Sequence, residues 1–261
     1  MSRLRLQKLL SAAGVCSRRR AEELMLQGRI LVNGVRAKPG DQADPAIDRI
    51  EINGKPLPAK ASCCTLLLHK PRGVHSTCHD PMGRPTVLDL LPPDLARGQG
   101  LHPVGRLDAF SHGALLLSND GEITLSLTHP RFNHPKRYLV WVEGNPSPQV
   151  LERWSKGVPL DGIASRAVFV ALKEHGKRRS LVEIEMKEGR HRQIRRTAEL
   201  LGHPVLDLQR LSVGPVQLGD LEPGAWRWLS ESETTALAKL LNPPEPDYEQ
   251  SAKPKRFRGQ S

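Results

Sequence analysis

The stretch "LHPVGRLDAFSHGALLLSNDG", residues 101–121, sets one carboxylate, Asp108, between a basic residue and an apolar run. Ala114 to Ser118 is almost wholly hydrophobic and reads as a strand inside a core. Gly105 allows close backbone approach just before Asp108. An aspartate ordinarily caps a turn. One held against a core wall is partly stripped of water, and it needs a cation nearby to stay ionised. The segment "KEGRHRQIRR", residues 187–196, supplies Lys187, Arg190, Arg192, Arg195 and Arg196. A helix is predicted over "HRQIRRTAELLG", with Ile194, Ala198 and Leu201 on its apolar side and Gly202 at its end. Arg192 and Arg195 lie three apart and would share a face of it.

Composition points to the kind of partner. The chain has 261 residues, room for two modest domains. Its 39 Lys and Arg against 28 Asp and Glu give a net charge of +11, which suits a polyanion such as nucleic acid. Aromatic residues make up only 4%, which argues against a wide base-stacking platform. Cys16, Cys63, Cys64 and Cys78 have no zinc spacing and read as thiols of a reducing compartment. His69, His75 and His79 cluster loosely, and no metal is expected. No apolar run approaches the ~18 residues of a membrane span. "MSRLRLQKLL" is too short and too charged for a signal peptide. These readings predict a cytoplasmic monomer with no membrane contact.

Along the chain, "LRLQKLLSAAG" predicts a helix that stops at Gly14. Ser17 can cap a second helix, "RRRAEELMLQG", and Asn33-Gly34 and Asn53-Gly54 mark two hairpins. Residues 1–60 hold twelve Lys or Arg against six Asp or Glu, with Arg18, Arg19 and Arg20 in one run. Such a face suits phosphates. "GVCSRRRAEELMLQGRILVNG", residues 14–34, resembles the small RNA-binding module first seen in a small-subunit ribosomal protein. That resemblance implies an S-four-like domain over residues 1–60 whose second helix and hairpin rim meet RNA.

Pro56 and Pro58 read as a linker. Beyond it "TLLLHKPRG" reads as a buried strand ending in a turn. "RPTVLDLLP" is a short helical or extended insert closed by Pro92-Pro93, and "KRYLVWVEG" and "SLVEIEMKEG" alternate as strands. "PPEPDYEQSAKPKRFRGQS", from residue 243 to 261, has the composition of a disordered basic tail.

"VGRLDAFSHGALLLSNDG", "HPKRYLV", "KEGRHRQIRR" and "LGHPVLDLQRLSVGPVQLGDLEPGAWRWL" together resemble the RsuA/RluB branch of the pseudouridine synthases, the RsuA family. The resemblance implies an α+β fold, with the N-terminal module followed by a mixed, mainly antiparallel sheet with flanking helices over residues 61–242. It implies conversion of a uridine in ribosomal RNA to pseudouridine without a cofactor. It assigns catalysis to Asp108 as nucleophile or base, with Tyr138 on the uracil and Arg195 beside the carboxylate. Arg106, Lys136 and Arg192 are the expected substrate contacts in this domain, and Arg18, Arg19 and Arg20 those of the N-terminal one. Phe110 departs from the family, which commonly has Asp or Asn there; Ser111 stands where many members have Thr. "GRPTVLDLLP" resembles members acting on large-subunit rRNA and favours 23S over 16S. A rival of another class is a non-catalytic rRNA-binding ribosome-assembly factor.

Overall fold

The computed structural model describes residues 3–59 and 62–241. The tail expected over 243–261, and the boundary expected at 60–61, lie outside the described residues.

In the first unit, β1 (Leu4–Arg5) leads into α1 (Leu6–Ala12), and α2 (Arg18–Leu26) follows. The Ser17 hydroxyl accepts from Arg20 N–H at 3.2 Å, the cap its position predicts. Leu6, Leu9, Leu10, Ala21, Leu24 and Met25 turn inward from the two helices. They pack on β2 (Ile30–Val32) and β5 (Ile50–Ile52). The hairpin mates are β3 (Val35–Arg36) and β6 (Lys55–Pro56), while β4 (Gln42–Ala43) pairs with β1. Asn33 and Gly34 both take positive φ, 53° and 81°, the turn that matches strand twist. Pro56 belongs to β6 rather than to a linker. It sits in an edge strand, where a missing N–H is tolerated.

The second unit is built on β7 (Thr65–Lys70), β8 (His102–Pro103), β9 (His112–Ser118), β10 (Lys136–Glu143), β11 (Pro159–Leu160), β12 (Ile163–Ala164), β13 (Phe169–Glu174), β14 (Arg179–Met186), β15 (Val205–Val213), β16 (Val216–Gln217) and β17 (Trp226–Trp228). Its helices are α3 (Pro93–Ala96), α4 (Gly121–Thr128), α5 (Pro148–Lys156), α6 (Gln193–Leu200) and α7 (Glu231–Leu241). The main sheet runs β13-β14-β10-β15-β9-β7-β17, with β16 on β15 and β8 on β9. Among the described pairs of that sheet, β9 with β15 is parallel and the others are antiparallel. This is the mixed, mainly antiparallel α+β architecture that the sequence implied.

The solid apolar run of β9 has a simple cause: both faces of the sheet are covered there. Leu115 and Leu117 join Leu66 and Leu68 under Val87 and Leu91. Ala114 and Leu116 face the other way, with Leu67, onto Leu127 and Leu237. A strand buried on both sides has no reason to alternate. Each fully buried leucine stabilises by roughly 2–3 kcal/mol, so this segment is firmly fixed.

Three expectations change. Pro93 opens α3 instead of closing the insert, since a helix's first residue needs no N–H. Arg192 is not on the helix; it sits at the N-cap in left-handed conformation, φ 49°, and α6 starts at Gln193. It therefore cannot share a helical face with Arg195. And α5, β13, β15 and α7 have no counterpart in the elements read from pattern.

The two sides of the main sheet meet where His112 and Gly113 pair with Gln209 and Arg210. Gly113 has φ +108°, and a Cβ there would lie 2.3 Å from the Arg210 carbonyl oxygen. No side chain fits against that backbone. Gly113→Ala is expected to lose roughly 3 kcal/mol or more, read as a large drop in urea midpoint; a wild-type midpoint would show that the junction can open without cost.

Candidate active site

Asp108 rides on a loop tied down on both sides. Lys70 ends β7 and is fully buried. Its ammonium donates to the carbonyls of Pro71 and Ser111 at 2.8 Å each and of Ala109 at 3.3 Å. Gly73 N–H donates to Ala109 O at 2.7 Å. The Ser76 hydroxyl donates to Leu107 O at 2.8 Å and accepts from Leu107 N–H at 3.1 Å. Residues 107, 109 and 111 are thus held by the segment 70–76, and Asp108 projects between them. Burial pushes the Lys70 ammonium down to about 8, against the pull of the Asp108 charge.

The carboxylate opens into a cleft of about 210 Å³. Its walls include Asp108, Lys136, Tyr138, Arg192, Arg195 and Arg210, with Arg106 at an exposed position. Tyr138 is buried in the middle of β10, between Ile184 and Arg210 on the neighbouring strands. Arg195 comes from α6. Its Nη2 donates to the Ser111 hydroxyl at 3.1 Å and to Phe110 O at 3.3 Å. Its Nε stands 3.9 Å from Asp108 Oδ2, outside hydrogen-bond length, and has no other partner among the described residues. Burial lowers the Arg195 guanidinium from its ordinary range, and the Asp108 charge opposes this. Burial, reinforced by Arg210, pushes Lys136 down to about 8.

All six residues expected at the catalytic domain's site therefore line one hollow. Arg18, Arg19 and Arg20 do not reach it. They sit exposed on the first turn of α2, where Arg20 pairs with Glu23 at 2.7 Å. The Arg18 guanidinium lies against Gly121, so a Cβ there would stand 3.7 Å from Nη2.

Sequence reasoning missed Lys70 and Arg210. The signal for Lys70 was present in "TLLLHK": a charge closing an unbroken apolar run must find partners inside. Arg210 is buried and donates from Nε to Ala114 O at 2.7 Å, a contact from β15 across to β9 that no local pattern shows. A polar chain also escaped notice. His69 Nδ1 donates to Leu221 O at 2.6 Å, and its Nε2 lies 3.4 Å from His112 Nδ1. His112 Nε2 is 3.2 Å from Asp207 Oδ2, and Arg72 pairs with Asp207. Burial lowers His112 below the ordinary histidine value, with Asp207 acting the other way.

Comparison with known proteins bears on this site. The family model described as RNA pseudouridylate synthase matches residues 65–200, and that of the S4 domain matches residues 4–46. The chain is 38% identical to a protein of Aquifex aeolicus (strain VF5) named an uncharacterized RNA pseudouridine synthase, over 92% of this chain and 96% of that one. It is 36% identical to the ribosomal large subunit pseudouridine synthase B of Bacillus subtilis (strain 168), covering 91% of this chain and 97% of that one. It is 32% identical to the dual-specificity RNA pseudouridine synthase RluF of Escherichia coli (strain K12), covering 97% and 85%. A solved structure titled as a pseudouridylate synthase superposes with a TM-score of 0.64 at 28% identity, over 90% of this chain and 99% of that one.

The two buried ammonium groups give a direct test. NMR titration of lysine side-chain carbons should find two resonances moving near pH 8, one lost in Lys70→Met and the other in Lys136→Met. Both titrating at the ordinary value of about 10.4 would show that the cleft is wetter than its geometry implies.

Proposed function

The chain belongs to the RNA pseudouridine synthases, and from that premise we propose that it isomerises one uridine of 23S ribosomal RNA, with Asp108 as the group that acts on the nucleotide. The observation that carries this reading is the meeting of Asp108, Tyr138 and Arg195 in one basic cleft.

The chemistry follows from the target. The bond from uracil N1 to the ribose breaks, the base turns, and C5 joins the ribose; C5 gives up a proton and N1 takes one. Neither atom is reachable inside a stacked helix, so the nucleotide leaves the stack at a cost of a few kcal/mol. Arg106, exposed at the cleft, fills the space left behind. The Asp108 side chain is 36% exposed, open enough to meet the sugar. Two routes suit a carboxylate there: addition to the ribose carbon, or removal of a ribose proton. Arg195 Nε, unpaired at 3.9 Å, closes on the carboxylate to about 2.9 Å as the site fills. Tyr138 presents its ring to the uracil and its hydroxyl to the proton transfer at C5. Lys136 and Arg192 meet the flanking phosphates. The isomerisation has no net redox change, so no organic or redox cofactor is needed, and the chain works as a cytoplasmic monomer.

Residues 1–60 anchor the enzyme and residues 61–242 do the chemistry. Support for rRNA comes from the exposed Arg18 and Arg19 on α2 and from the S4 domain match. The large subunit is favoured by the name of the Bacillus subtilis relative; the RluF name, dual-specificity, keeps 16S as the alternative arm of the test.

Asp108→Asn should abolish product. Pseudouridine mapped by carbodiimide labelling and primer extension on 23S and 16S rRNA should be missing at one 23S position in cells carrying only the variant. Modification that persists there returns the chain to the assembly-factor reading. Reversing Arg18 and Arg19 to Glu should weaken rRNA binding and lower the slope of log affinity against log salt by about two; an unchanged slope means that this face does not touch phosphate.

A further inference from the structure

Phe110 is 72% exposed, two positions beyond Asp108. Aromatic residues form only 4% of the chain, and a ring in solvent contributes nothing to the core. The exposure is not slackness of the loop. Phe110 O accepts from Arg195, and its two neighbours, Ala109 and Ser111, are both bonded to Lys70. The ring is held out by a fixed backbone. Asp108 and Ser111 line the cleft, whereas Phe110 does not. Its side chain therefore stands on the rim, beyond contact with a base inside. Two residues of chain span at most about 7 Å, which keeps the ring within reach of the adjoining nucleotide.

The surrounding rim is cationic. Arg106 and Arg192 are exposed, and the Arg72 side chain, paired with Asp207, is still 55% exposed beside Gly73, which bonds to Ala109. Exposed ring and guanidinium groups together suit an unpaired nucleotide: the ring face takes a base and the cations take its phosphates. A protein partner would call for a continuous apolar patch, and here the flanks are charged. We propose that Phe110 stacks on a base flanking the extruded uridine, so that the enzyme selects a target whose neighbour is also unstacked. The assignment rests on the reading that the Asp108 cleft receives that uridine.

The test uses the full chain and 23S and 16S transcripts labelled with tritium at uridine C5, whose release reports the reaction. Phe110→Ala is expected to raise KM about tenfold with kcat within about twofold, and Phe110→Trp to restore KM. The thermal midpoint should not move, because the ring is exposed. An unchanged KM, a loss confined to kcat, or failure of Trp to restore KM overturns the stacking role. Wild-type protein that releases no tritium from either transcript is a failure of the catalytic reading instead. In that event filter binding of D108N against D108N/F110A to the same transcripts decides: about tenfold weaker binding in the double variant supports the stack, and equal affinity ends it.

Discussion

One buried ammonium sets the rest of the site. Lys70 lies inside the protein at the end of β7, and among the described residues no carboxylate is bonded to it. Burying such a charge is costly unless its donors are used. The three carbonyls of Pro71, Ala109 and Ser111 meet that demand, and the last two fix the backbone just after Asp108, while Ser76 holds Leu107 just before it. The polar solution to one group's burial is thus the rigidity of another. A carboxylate held by packed elements, not by a free loop, is ready for its substrate before the substrate arrives.

The same economy joins the two flanks of the sheet. β9 meets β15 in a short parallel pair, and three contacts between these two strands converge there. Gly113 admits the Arg210 backbone, Arg210 bonds to Ala114 O, and His112 faces Asp207. His69 donates its Nδ1 proton to Leu221 O, so a neutral His69 offers only an acceptor at Nε2. A neutral His112 has one proton for two acceptors, His69 and Asp207. Only the imidazolium satisfies both, and burial opposes that form. The contact at 3.4 Å is accordingly the loose one.

Much of this was legible in the sequence because it is local. The caps at Ser17 and Asn33-Gly34 act within a few residues, and the β9 run "ALLL" reports burial on both faces without any partner being known. Motif order named the residues expected at the site, and the six from the second unit line one hollow. What stayed hidden is non-local or runs against propensity. Arg192 breaks the helix by taking φ 49°, which a period of 3.6 cannot foretell. The bonds of Lys70 to Ala109 and Ser111 and of Arg210 to Ala114 span 39 to 96 residues of sequence. The element α5 was missed although Ser147 caps it and Pro148 opens it, a start signal drowned by its polar interior.

Charge is divided between the two units in a way that suits extruding a base. Taking a nucleotide out of its stack costs a few kcal/mol before any chemistry begins, and something must hold the RNA meanwhile. The first sixty residues carry a surplus of six positive charges, with Arg18 and Arg19 exposed, and such contacts act at long range and yield to salt. The groups that hold the Asp108 loop have the opposite character. Lys70 is wholly buried and Arg195 partly so, with ionisation shifted by that burial. Charges kept from water act strongly over a few ångströms and are little screened. Attraction can therefore be supplied by groups that need no precise placement, while the groups that need it stay dry and fixed. On the proposed reading, arginines that carried both roles would be drawn away from Asp108 by every gain in RNA affinity.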